Sequence, residues 1–192
     1  MKNISLTLKE NQEKVLPLVW TSGSEEIVVN ATLSGRGARL NVVGAFFLAN
    51  SDEVKATINI THAAADTYSN TLIKSVLTER ARGGFYGLVK INHGAKNTDT
   101  YFREDALLLS KEAKAEAIPS LEIDENEVKA GHASTVGPVD PEQIFYLMSR
   151  GVTQEDAKRM VVQGYFHSVF GLLPYKEQQT LSNFLEKEFR IG

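Results

Sequence analysis

The sequence predicts a mainly β fold that gives way, near residues 134–140, to a short helical region. Three observations predict it. Short apolar or alternating runs recur at roughly 11–14 residue intervals, as they do in all-β domains. Turn-forming Gly, Asn and Asp punctuate those runs. After Asp140 the apolar spacing changes from every second residue to every third and fourth, the period of a helix.

Taken in order, Ile27-Val28-Val29, Ala31 and Leu33 form the first clear strand and end at the turn Ser34-Gly35-Arg36-Gly37. Leu40 to Leu48 is a continuous apolar run closed by Asn50-Ser51-Asp52. Val54, Ala56, Ile58 and Ile60 alternate with Lys55, Thr57, Asn59 and Thr61, the pattern of a half-buried strand. Further strand-like runs cover Thr71–Leu77, Gly84–Ile91 and Thr98–Leu109, and a shorter one, Leu121-Glu122-Ile123, follows Pro119. Asp140 then reads as an N-cap, with Pro141 at the first helical position. Ile144, Leu147 and Met148 share a helix face, and Gly151 stops it. Thr153 caps a second helix with the stripe Ala157, Met160, Val161, Tyr165 and Val169. Leu181, Phe184, Leu185 and Phe189 mark a third. These bounds give an N-terminal segment, 1–14, a β core, 15–137, and a helical region, 138–192. A sandwich, a barrel and a solenoid all fit the strand pattern, because no strict repeat motif selects among them.

Composition narrows the function. A net charge of −3 and a pI near 5.8 give no basic face for nucleic acid. No run reaches the roughly 18 apolar residues of a membrane span. The first ten residues mix Lys2, Lys9 and Glu10 with isolated apolar residues, unlike a secretory signal, so a cytoplasmic location is expected. The sequence contains no cysteine, which excludes a disulfide, a thiolate nucleophile, a persulfide carrier and a cysteine metal ligand from this chain.

The motifs that suggest enzymes fail on spacing. Gly83-Gly84-Phe85-Tyr86-Gly87 runs into the β segment Leu88-Val89-Lys90-Ile91 and no Gly-Lys-Ser/Thr follows, so corner glycines are expected and an ATP site is not. His62, His93, His132 and His167 form no HxxxH or HExxH pair. His62 ends the Ile58–Ile60 alternation and is expected to pack at a strand end; His93 precedes a turn glycine and is expected in solvent. Ser134 and His132 share a strand face, but no third group or oxyanion hole completes a nucleophilic site. No carboxylate pair of the kind glycoside hydrolysis uses is evident. His132 stands out because small residues flank it in Ala130-Gly131-His132-Ala133-Ser134, leaving the imidazole accessible either as a hydrogen-bonded strand-end group or as a ligand.

Several separated segments carry a family resemblance. They are Leu107-Leu108-Leu109-Ser110, Pro119-Ser120-Leu121-Glu122-Ile123, Asn126-Glu127-Val128-Lys129, His132-Ala133-Ser134-Thr135-Val136-Gly137 and Ile144-Phe145-Tyr146-Leu147-Met148-Ser149-Arg150-Gly151. With Thr61-His62, Val76-Leu77 and Arg82-Gly83-Gly84-Phe85-Tyr86-Gly87 before them, their order and spacing resemble the SufB/SufD family of iron–sulfur cluster assembly proteins over about residues 50–173. The resemblance implies a right-handed parallel β-helix over the β core, with a small C-terminal helical domain. It implies pairing with a SufB-like chain, or a second copy, through strands at about residues 105–135. It implies docking of a SufC-like ABC ATPase on the helices, with Phe145, Tyr146 and Arg150 as contacts.

The departures from the family pattern define the role. Ala130 stands where the SufD pattern has a cysteine. Ala113 and Ala133 stand where the SufB pattern has a cysteine and a glutamate. Iron–sulfur clusters are held mainly by thiolates. A chain without thiols is therefore expected to be SufD-like and non-catalytic, and to hold no cluster stably by itself. It would contribute His132, with Glu122 or Glu127, to iron or an iron–sulfur cluster shared transiently with its partner. Residues 1–17 are too few for the helical region that precedes the β-helix in the family. A β-solenoid homodimer acting as an interaction module, or a SufB-like scaffold variant, with no cluster-ligating role, is the alternative.

Overall fold

Alternation of apolar and polar residues carries the chain through ten strands: β1 (Lys2–Leu8), β2 (Glu13–Trp20), β3 (Glu25–Leu33), β4 (Arg39–Leu48), β5 (Glu53–His62), β6 (Tyr68–Leu77), β7 (Arg82–Ile91), β8 (Thr98–Leu108), β9 (Lys114–Ile123) and β10 (Val128–Pro138). Three helices follow, α1 (Pro141–Ser149), α2 (Gln154–Phe170) and α3 (Tyr175–Glu188). The computed structural model describes residues 1–188; Phe189, expected on the third helix, lies outside them.

The strands stack as a parallel β-helix of about five turns. Each turn places one strand in each of two five-stranded sheets, ordered β1-β3-β5-β7-β9 and β10-β8-β6-β4-β2. Equivalent residues are 25 apart in the first step (Lys2 to Ile27), 29 in the next (Glu25 to Val54) and 32 in the last (Arg82 to Lys114). This drift hides the repeat from a search for a fixed period. The corners are made by residues that tolerate left-handed backbone: Asn11, Asn50, Asp66 and Asn97 all have φ between 54° and 58°.

In-register parallel pairing keeps one face of every strand inward. Ile27, Val29, Ala31 and Leu33 stack on Ala56, Ile58, Ile60 and His62. Leu40, Val42, Phe46 and Leu48 fill the opposite wall of the first coils. Phe46 meets Phe85 edge-on at 5.2 Å between centroids. One close approach is obligatory: a Cβ on Gly87 would lie 2.3 Å from the Phe102 ring.

The outer face of the second sheet carries the helices. Val43, Ala45, Phe47 and Val76 form a second core with Val162, Phe166, Val169, Leu173, Leu181 and Leu185. This explains the unbroken apolar run of β4, which is buried on both faces. The helix starts are as expected. The Asp140 carboxylate accepts from the Glu142 amide at 2.9 Å, and the Thr153 hydroxyl from the Asp156 amide at 3.1 Å.

Two expectations need correction. Residues 1–14 do not precede the β-helix: they form β1 and begin β2, and Ile4 and Leu6 pack against its core. The buried stripe of α2 is Ala157, Val162, Phe166 and Val169, rotated from the expected one, with Met160 exposed. The buried side is the one that packs on Val43, Ala45, Phe47 and Val76 of the sheet's outer face.

Candidate functional site

Among the described residues, the last coil brings the inner face of the β-helix to the surface at its C-terminal end, since β9 and β10 each pair on one side only. β9 continues the Gly83, Phe85, Gly87, Val89 and Ile91 columns with Ala115, Ala117, Pro119, Leu121 and Ile123. β10 continues the Thr98, Thr100, Phe102, Glu104 and Ala106 columns with Val128, Ala130, His132, Ser134 and Val136. Proline at 119 suits an edge strand, which has amides to spare. Ile118, Ile123 and Val136 are each more than two-fifths exposed there. An unpaired, partly apolar edge of this kind is a template for a further strand.

His132 lies in the centre of this edge. Its register partner is Phe102, which is buried, so the imidazole occupies an inward column but has no coil above it and is exposed. Gly131 beside it lies against the Tyr101 ring, where a Cβ would come within 3.1 Å. The other two expected site residues lie elsewhere. Glu122 points outward, 3.3 Å from Lys90 Nζ. Glu127 sits at the corner before β10, where Lys96 donates to it at 2.8 Å; that bond raises the Lys96 pKa. Each carboxylate is thus engaged by its own lysine. Among the described residues, no three His, Asp or Glu side chains converge to hold a metal ion.

The structure brings forward groups the sequence reading passed over. Beneath Ser134, one coil inward, Glu104 is fully buried, and neither carboxyl oxygen has a hydrogen-bond partner among the described residues. Burial, assisted by the neighbouring Asp105, pushes its pKa up to about 9. Asp105 faces the other way. Lys74 donates to it at 2.6 Å and Arg103 at 2.9 Å. Burial works against that carboxylate, but the two cations outweigh it and hold its pKa below the ordinary value. The Lys74 ammonium also lies 4.4 Å from the centre of the Tyr165 ring, and the Tyr165 hydroxyl donates to the Asp105 carbonyl. This cluster ties α2 to the strand that supports β10. Alternation Thr98-Thr100-Phe102-Glu104-Ala106 was the available signal for Glu104.

His62 proves to be the packed strand-end residue that the alternation implied. Its two ring nitrogens lie 2.8 Å from the Thr67 hydroxyl and 2.9 Å from that of Ser69, and burial lowers its pKa to about 4. Ala113, just before β9, is buried.

On α1, Phe145 and Tyr146 are largely exposed, and Arg150 lies 5.3 Å from the Tyr146 ring centre. Behind them an apolar groove of about 630 Å³ runs between Leu108, Leu109, Pro138, Val139, Ile144 and Met148. No described helix is long and apolar enough to cross a membrane.

Comparison with known proteins bears on this geometry. Residues 17–165 match the family described as SUF system FeS cluster assembly, SufBD core domain. The iron–sulfur cluster assembly protein SufD of Bacillus subtilis is 41% identical over 118 residues, covering 62% of this chain and 27% of that protein. A SufBD family protein of Mycobacterium leprae is 33% identical over 182 residues, covering 89% of this chain and 46% of its own length. One of Mycobacterium bovis is 32% identical over 154 residues, covering 80% of this chain and 18% of its own. The chain therefore spans less than half the length of each of these relatives.

Proposed function

The chain belongs to the SufBD family of iron–sulfur cluster assembly proteins, and from that membership we propose that it is the SufD-like, thiol-free half of a pair whose other half is a SufB-like scaffold. The observation that carries the reading is the uncovered last coil, with two unpaired strand edges and His132 at the middle of the β10 edge. A second β-helix end would extend each sheet by a strand. The seam would run along β9 and β10, which overlap the expected stretch 105–135 and reach to Pro138. It would bury Ile118, Ile123 and Val136 and place His132 against the partner's groups.

In that position the imidazole supplies one neutral nitrogen ligand, or a proton acceptor, to iron whose thiolates come from the partner. With no cysteine, the chain supplies no thiolate ligand, so iron and the cluster are cargo shared across the seam. Glu127 and Glu122 would take part only by leaving Lys96 and Lys90, and we assign the ligand role to His132 before either. The exposed Phe145 and Tyr146, backed by Arg150, form the surface offered to a SufC-like ATPase, which alone would hydrolyse ATP. The helices are then the input of motion, and the Tyr165–Asp105–Lys74 cluster is the link from them to β8.

Mixing the chain with SufB-like and SufC-like proteins tests the assignment by co-elution. A ternary complex is expected, with His132→Ala retained in the complex but impaired in cluster formation. A chain that stays monomeric beside both partners contradicts it. A stable homodimer that ignores the SufB-like protein would favour the interaction-module alternative.

A further inference from the structure

The two ends of the β-helix are built differently. Among the described residues no strand lies beyond β1 and β2 at one end, or beyond β9 and β10 at the other. The last coil has strands of 10 and 11 residues. Its inward columns take every second residue from Ala115 to Ile123 on one wall and from Val128 to Val136 on the other, and they hold no Lys, Arg, Asp or Glu.

The first coil is smaller and its mouth is charged. Its strands have 7 and 8 residues, and its first-sheet step is 25 residues where later ones take 29 and 32. A lysine stands in the inward column of each wall. Lys2 is in register with the buried Ile27 and Lys14 with the buried Leu40, and both lysines are exposed. Pro17, in the middle of β2, gives that strand one amide fewer to offer. Behind the lysines the core is already closed. Leu8, Leu16 and Leu18 are buried with no coil over them, because Ile4, Leu6 and Trp20 pack against the same cluster. The Trp20 indole N–H donates to the Gly23 carbonyl at 2.9 Å, which holds the ring in place.

Short strands, proline and inward-pointing charge are the means by which sheet edges are kept from pairing. We infer that the first coil is a built-in end cap that rejects a further strand, so that the chain takes a strand-pairing partner at its last coil alone and stacking stops at two β-helices. The register supplies the physical reason. A second copy continuing the helix head to tail would set Lys2 on the column that ends in Ala117, and Lys14 on the column that ends in Ala130. Neither column offers a carboxylate, so two ammonium groups would lose water without gaining a counter-ion. Two first coils set face to face would bring like charges together instead. The inference concerns β1 and β2 only. It does not depend on which partner the last coil takes, so it stands or fails apart from the pairing proposal.

Sedimentation velocity of the full chain over a wide concentration range tests it. The parent should form nothing larger than a pair. Lys2→Val, Lys14→Val and Pro17→Val together restore an apolar edge with all its amides. That variant should form larger species, with association at the new end at least tenfold tighter and new hydrogen-exchange protection in β1 and β2. Lys55→Val with Lys90→Val, on the outer faces of β5 and β7, controls for added surface apolarity and should leave the size distribution as in the parent. If the triple variant does not fold, Lys2→Thr with Lys14→Thr decides by the same measurement, and growth beyond a pair is again expected. A parent that assembles beyond two copies through β1 and β2 overturns the end cap. So does a folded variant that keeps the parent's size, or a control that grows as the variant does.

Discussion

At the scale of single residues, two buried titratable groups pull stability in opposite directions. Glu104 has a folded pKa near 9 against an ordinary 4.5, so the folded protein keeps a proton that the unfolded chain loses. Its contribution falls as pH rises from about 4.5 to about 9. His62, lowered from 6.5 to about 4, behaves inversely: its contribution is complete above pH 6.5 and is lost as pH falls toward 4. The two slopes oppose each other between 4.5 and 6.5, and above 6.5 only that of Glu104 remains. Urea titrations should therefore show Glu104→Gln more stable than the parent by about 2–3 kcal/mol at pH 7, with the gain shrinking toward pH 4.5. An equal gain at both values would mean that the carboxyl is ionised in the fold. Gly87→Ala has a steric rationale: the added Cβ would press into Phe102 with no free volume, costing about 1–3 kcal/mol in thermal or urea unfolding. Phe102→Leu in the same background should recover part of that loss. A Gly87→Ala protein of parental stability would show that the ring moves freely.

At the scale of elements, the latch between α2 and β8 deserves a direct measurement. Tyr165→Phe removes the donor to the Asp105 carbonyl while keeping the ring against Lys74. Hydrogen exchange should rise in α2 by a factor of several, with global stability lower by about 1 kcal/mol; unchanged exchange would make the contact incidental. The same contacts show what was legible in the sequence. The strands of the middle coils follow from alternation alone, as in Val54–Ile60, and the helix starts follow from Asp140 and Thr153. β1 was equally legible in Ile4-Ser5-Leu6-Thr7-Leu8, whose apolar residues, mixed with Lys2, Lys9 and Glu10, read as isolated ones. The solenoid itself was not legible from periodicity, since its steps drift from 25 to 32 residues; only the family resemblance chose it. Of the candidate site, only the accessibility of His132 was legible, from its small neighbours. Its distance from Glu122 and Glu127 depends on which way each strand residue faces relative to the corner lysines, a property of the coils and not of local sequence.

At the scale of the molecule, the account has a closed side and an open one. The helices cover the outer face of the sheet through β2, β4 and β6, burying a second core, while β9 and β10 keep a free edge. A free edge is a hazard unless it is used, and the exposed Ile118, Ile123 and Val136 make this one apolar as well. Lysine at two of these positions, Ile118→Lys with Val136→Lys, should leave the fold intact and weaken capture of a SufB-like partner by at least tenfold, read by interferometry, because each buried amine would need desolvation. Undiminished capture would move the interface elsewhere. The central claim is that the last coil is the pairing surface, and hydrogen–deuterium exchange of the parent chain with and without a SufB-like partner tests it most directly. The expected result is new protection confined to the amides of β9 and β10, including those around His132. Protection that falls instead on β1 and β2, or no change in β9 and β10 within a complex that has formed, would contradict it.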